Sequence, residues 1–146
     1  MAIFGVGSTW EGDERKEEFF ADENFKIGWD YKSAKDLYDA VFLLKAGDII
    51  YLNSSSPSSR KLRIKGIGVV TKSFIHGLIE KGLTKKEIFA PESFSVKIKW
   101  MFKGEFPIII PKSEGRLTHV RAGTFYEEYL PYVQKQIIDK LFNLKP

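Results

Sequence analysis

Two glycines inside a strand-like run, Gly66 and Gly68, constrain this chain more than any other feature. They stand in Lys61-Leu62-Arg63-Ile64-Lys65-Gly66-Ile67-Gly68-Val69-Val70. Leu62 and Ile64 face one way there and Arg63 and Lys65 the other, the period-2 pattern of a half-buried strand. A glycine inside a strand marks a bulge, a bend or a close backbone approach. A strand bent twice belongs in a small curved sheet or barrel, not a flat one. Upstream, Gly47-Asp48 is a turn signal ahead of Ile49–Leu52, a β-branched and aromatic run too short for a helix. Between the strands, Asn53–Ser59 holds five serines, one proline and no apolar residue, so it is expected in solvent. Lys45 to Val70 thus reads as a hairpin.

The rest of the chain supplies partners for it. Ala2–Val6 is a short apolar run ending at Gly7 and reads as the first strand. Asp13 to Phe20 is a candidate helix, with Asp13 as its cap and early acidic residues suiting its N-terminal end. Phe25–Trp29 alternates as a strand. Ser33–Leu44 reads as a helix: Ser33 and Asp36 have capping-box spacing, and Ala34, Leu37, Tyr38, Val41 and Leu44 form one stripe. Leu78–Phe89 reads as a loop with a helical turn, because Gly77 and Gly82 break a longer helix. Phe94, Val96, Ile98, Trp100 and Phe102 alternate with mostly lysine, a clear strand. Phe106–Ile110, bounded by Pro107 and Pro111, reads as a separate edge strand, and Val120–Tyr126 as a short one. Pro131 to about Phe142 reads as a terminal helix buried through Leu130, Val133, Ile137, Ile138 and Leu141. Without regular βαβ alternation, the expected class is α+β, a small curved, mostly antiparallel β-barrel flanked by helices. At 146 residues, 1–146 is expected to be one domain.

Composition narrows the chemistry. With no cysteine, thiolate zinc sites, catalytic thiols and disulfides are excluded, and two distant histidines make a histidine-rich metal site improbable. Neither a secretory leader nor a membrane-length apolar run is visible, so a soluble, cytoplasmic protein without membrane contact is expected. Glu11 to Glu23 carries seven acidic and two basic residues, a net of −5, which leaves +9 on the remainder of a chain with net charge +4. A basic body of that kind suits a polyanion, nucleic acid being the commonest; a basic surface that merely aids solubility is the alternative.

No phosphate-loop, nucleophile-elbow, zinc-protease or calcium-loop motif occurs. Asp13, Glu14, Glu17 and Glu18 read as an acidic helix face before they read as a magnesium site. His119, near Arg121, reads as an exposed histidine in a basic loop. The aromatics say more. Trp10 and Trp29 each stand at an expected strand end beside polar groups, Ser8 and Thr9 before the first and Asp30 and Tyr31 after the second. If those ends meet, indole faces and a few polar groups line one pocket, suited to a planar heterocycle or a methylated group. Composition alone favours both tryptophans as plugs at a barrel end.

Three pieces in order change that weighting: Lys26-Ile27-Gly28-Trp29-Asp30 entering the Ser33–Leu44 helix, Lys45-Ala46-Gly47-Asp48-Ile49-Ile50-Tyr51-Leu52-Asn53-Ser54, and Gly66-Ile67-Gly68-Val69-Val70. Together with Ile3–Ser8 they resemble the PUA-like superfamily. Within it they are similar to EVE and YTH domains and to the specificity domains of modified-cytosine restriction systems. The resemblance spans roughly the first half of the chain and stops near Phe74. It implies a small β-barrel flanked by helices that binds a flipped or unpaired base in an aromatic pocket. Trp29 would be a cage wall, Ser8 a polar group ending the first strand, and Ser54 one ending the Gly-Asp strand. Trp10 and Trp100 are further candidates without a counterpart.

The expectation is therefore a non-enzymatic module for modified or unpaired DNA or RNA, with no cofactor and no metal. Trp29 stacks on the base, with Trp10 and Tyr31 nearby; Ser8, Asp30 and Ser54 read its edge; Arg60, Lys61, Arg63 and Lys65 hold phosphates. An effect beyond binding would require an effector protein. The alternatives are a small-ligand or protein-interaction domain using the same pocket and, less favoured, a nuclease.

Overall fold

The computed structural model describes residues 1–10, 12–27, 35–54, 60–81, 95–114 and 125–143. In chain order the strands are β1 (Ile3–Gly7), β2 (Thr9–Trp10), β3 (Asp13–Glu14), β4 (Asn24–Lys26), β5 (Ile49–Ser54), β6 (Lys61–Lys72), β7 (Ser95–Ile109) and β8 (Phe125–Glu127). The helices are α1 (Lys16–Asp22), α2 (Lys35–Phe42), α3 (Phe74–Lys81) and α4 (Pro131–Phe142), with a short 3-10 turn at Lys112–Glu114. Six strands form one curved half-barrel in the order β4-β7-β6-β5-β1-β8, while β2 and β3 make a small separate hairpin. Among the described residues every pairing in the half-barrel is antiparallel except β1 with β5, which run parallel from Ile3↔Ile49 to Gly7↔Asn53. Among the same residues no helix is long and apolar enough to cross a membrane.

The curvature has the origin that the glycines suggest. The β6–β7 register shifts at three places, between Ile64 and Gly66, Ile67 and Gly68, and Val70 and Lys72. A methyl group on Gly66 would stand 2.8 Å from the Phe20 ring, and one on Gly68 would run into Ile98 and lie 2.9 Å from the Lys99 carbonyl. Both glycines thus admit close approaches that a side chain would block. One side of the sheet is packed by Phe19 and Phe20 of α1 and Tyr38 and Val41 of α2, over Phe4, Val6, Ile50 and Leu52. The other side carries Val133, Ile137 and Leu141 of α4, packed on Ile3, Tyr51, Leu62, Ile64 and Ile67. The terminal helix has the expected bounds, with Pro131 in its first turn and Leu130 and Ile138 half-buried.

Five expectations are corrected. Asp13 and Glu14 pair with Trp10 and Thr9 as β3, so α1 starts after them with no side-chain cap. Asn53 is not a solvent residue: β5 continues through it, and its buried amide donates to Tyr126 Oη at 2.5 Å. That phenol lies 3.0 Å from the Tyr51 hydroxyl, which donates to Glu128 at 2.7 Å; burial first, then these neighbours, hold the Tyr51 phenol well above its ordinary pKa. Residues 78–81, expected as loop, belong to α3, which runs through Gly77. The two strands expected at Phe94–Phe102 and Phe106–Ile110 are one, β7. Pro107 is tolerated because β4 pairs only with Ser95–Lys97, leaving β6 as the described neighbour of β7 at that point.

The fifth correction concerns Lys65. Period-2 alternation places it outward with Arg63, yet it is 6% exposed. Against β5 the register steps from Leu52↔Gly66 to Asn53↔Ile64, so Lys65 is the extra residue of a bulge and turns inward.

Candidate functional site

The parallel β1–β5 pair fixes one end of the sheet. Gly7 stands opposite Asn53, so the residues that follow, Ser8 and Ser54, come out side by side. Ser54 in turn pairs with Arg63 of β6, which is exposed and not matched with a carboxylate among the described residues. Ser8, Ser54 and Arg63 therefore share a neighbourhood although the sequence separates them widely.

Ser8 is fully buried, and its hydroxyl donates to Glu14 Oε2 at 2.7 Å. The same carboxylate accepts the Arg15 and Lys16 backbone N–H groups at 3.0 and 3.4 Å. Its other oxygen takes the Lys65 ammonium at 2.6 Å, and Lys65 also donates to Thr9 Oγ1 at 3.3 Å. Burial works to raise the Glu14 pKa, but the Lys65 and Ser8 hydrogen bonds, the Lys65 charge and the Lys16 N–H outweigh it and hold the carboxyl below its ordinary value. With its proton committed to Glu14 and its side chain fully buried, Ser8 fixes the end of β1 to the hairpin and is not itself exposed to a ligand. The β2–β3 hairpin is latched onto the sheet through this carboxylate, with the Lys65–Thr9 bond beside it.

Beside the latch, a groove of about 430 Å³ runs between α1 and the β6–β7 ladder, lined by Lys16, Glu17, Phe20, Ala21, Lys65, Lys103 and Gly104. Phe20 lies edge-on to Trp100 with ring centroids 5.2 Å apart, and the Trp100 indole donates to the Phe19 carbonyl at 2.9 Å. Trp100 is thus a core residue, not a cage wall. Of the groove's cations, Lys65 is tied to Glu14 and Lys16 to Glu105 at 3.3 Å. Lys103 sits 5.9 Å from the Phe20 centroid and has no carboxylate partner among the described residues.

The expected site residues are placed as follows. Lys61 and Arg63 are exposed on the side of β6 opposite Leu62 and Ile64, and Arg60 is half-buried just before the strand. Lys65 is an internal strut, not an outward phosphate contact. Trp10 is described through its backbone pairing in β2, and Trp29, Asp30 and Tyr31 lie outside the described residues, as does His119. The acidic set is not one helix face. Asp13 and Glu18 pair with Arg15 at 3.1 and 3.3 Å, Glu14 is the latch, and no cluster suited to a metal ion occurs among the described residues. Sequence reasoning passes over Lys103 and Phe20: the first reads as one lysine of an alternating face, the second as a helix anchor. Compared with known proteins, the chain matches no family model and no curated sequence.

Proposed function

We propose that this chain is a nucleic-acid-binding module of the PUA-like kind that holds an unpaired or modified base. The observation that carries the reading is the meeting of Ser8 and Ser54 at one end of the sheet with the exposed Arg63 beside them. In this reading Trp29, with Asp30 next to it, stacks on the base and Ser54 reads its edge, while Ser8, buried against Glu14, fixes the strand end beside them. Trp10 and Tyr31 flank the pocket. Lys61 and Arg63, with Arg60, hold the backbone; Lys65 is withdrawn from that role. The reading assigns no bond-making step to the chain, so a downstream effect passes through a partner protein.

Titration of single-stranded and duplex oligonucleotides, methylated and unmethylated, into the full chain tests it. Base stacking is worth about 1–3 kcal/mol, so Trp29→Ala is expected to weaken binding roughly 5- to 150-fold with little change in melting temperature. A variant that unfolds early, or binds like the parent, makes Trp29 structural. In parallel, Lys61→Ala with Arg63→Ala is expected to flatten the salt slope by about 0.7–0.9 for each phosphate no longer neutralised. An unchanged slope removes β6 as the segment that holds the backbone.

A further inference from the structure

We infer that the groove between α1 and β7 seats a single phosphodiester of the bound strand, with Lys103 as its cation and the Phe20 ring as the apolar wall for the attached sugar. The inference rests on the nucleic-acid reading above and adds a phosphate seat that the reading does not contain.

Charge accounting within the groove sets the number of phosphates. Three lysines line it, but two are already neutralised: Lys65 by Glu14 at 2.6 Å and Lys16 by Glu105 at 3.3 Å. Glu17 on the same lining opposes any anion there, so Lys103 can offset one phosphate at most. Lys103 alone is left to answer an incoming charge, so the groove suits one phosphate and not a run of them. Its ammonium rests near the Phe20 ring, a weak attraction that a phosphate oxygen readily outcompetes. Gly104 places no side chain on the groove wall beside it.

Position links the groove to the base end. Lys65 lines the groove and, through Glu14, lies two hydrogen bonds from Ser8. A strand whose base sits at the Ser8 and Ser54 end therefore passes the groove with a neighbouring linkage. Farther along β6, Arg63 stands about three residues from the Gly66↔Lys103 pair, roughly 10 Å at strand spacing, and meets the backbone beyond it.

The test is a scan of neutral linkages. Methylphosphonate is placed at each position in turn of a single-stranded oligonucleotide and titrated into the full chain and into Lys103→Ala. One position is expected to weaken the parent roughly two- to fivefold and to leave Lys103→Ala no weaker than it already is. Lys103→Ala is also expected to lower the salt slope by about 0.7, while Lys16→Ala, whose ammonium already has a carboxylate, changes it less. Melting curves of both variants check that they fold. If Lys103→Ala binds like the parent with the same slope, or loses affinity at every neutral position alike, the groove is not a phosphate seat, and the base reading stands on Trp29. If no oligonucleotide binds the parent at all, the base reading fails and this inference with it.

Discussion

Glu14→Ala is expected to lower the stability of the chain by about 3 kcal/mol, near the low end of what breaking a buried ion pair costs. The Lys65 side chain is 7% exposed and would keep only the Thr9 hydroxyl at 3.3 Å, while the buried Ser8 hydroxyl would lose its acceptor. The low end applies because Glu14 itself is one-third exposed, so water reaches the vacated place. Adding Lys65→Met should recover part of the loss, since it removes the stranded charge. Urea titrations of the parent, the single variant and the double variant measure this. A Glu14→Ala midpoint equal to that of the parent would mean that Lys65 finds water and the latch is ornamental. The pH dependence has a fixed sign. A carboxyl held below its ordinary value of 4.5 in the fold stabilises fully above that value and loses its contribution as pH falls through the lower folded pKa. The parent should therefore lose stability in that acid window, and Glu14→Gln should lose less there.

Asp48→Ala is expected to have an effect of similar size, about 3 kcal/mol, from two charge-assisted backbone hydrogen bonds left without an acceptor. Asp48 is fully buried and accepts the Ala2 and Lys45 backbone N–H groups, each at 3.0 Å. The Lys45 ammonium also reaches it at 2.8 Å, but that side chain is largely exposed and adds little. Around the carboxylate three strands are pinned together. Ile49 N–H donates to Ala2, Gly47 N–H to Val70 and Val70 N–H to Asp48, each at 2.8 Å. Asp48→Asn keeps an acceptor oxygen and should lose about half as much. A guanidinium midpoint for Asp48→Ala within experimental scatter of the parent would show that water replaces the clasp. Burial pushes the Asp48 pKa up, and the Ala2 and Lys45 hydrogen bonds bring it below its ordinary 3.8, so this contribution too is complete above that value and disappears in more acid solution.

Both residues mark where sequence reading stops. Asp48 reads as half of a turn signal, which it is, but its hold on Ala2 depends on a parallel pairing across 46 residues. Glu14 reads as part of an acidic helix because four carboxylates fall close together. What decides its fate is Lys65, 51 residues on, turned inward by a bulge against β5 that strict alternation cannot anticipate. Elements governed by local chemistry are legible: α4 follows from Pro131 and its apolar stripe, and the curvature of β6 from two glycines. β7 reads as two strands because Pro107 and Pro111 mark its second part as an edge strand of its own. Pairing with β6 along nearly the whole of β7, through three register shifts, overrides that reading. At the site, the sequence places Ser8 and Ser54 at strand ends but does not say which strands are neighbours. Lys103 is invisible because a free lysine and a paired one look alike until their carboxylates are placed.

The position of β1 has a consequence for how the chain comes together. It lies between β5 and β8, with Ile3 opposite Ile49 and Phe4 opposite Glu127. β1 thus takes one neighbour from residues 49–53 and the other from residues 125–127, far apart in sequence. The full ladder therefore needs two long closures, each with its own entropic cost, and such non-local pairings slow folding relative to local ones. No fragment that stops short of β8 gives β1 both of its neighbours.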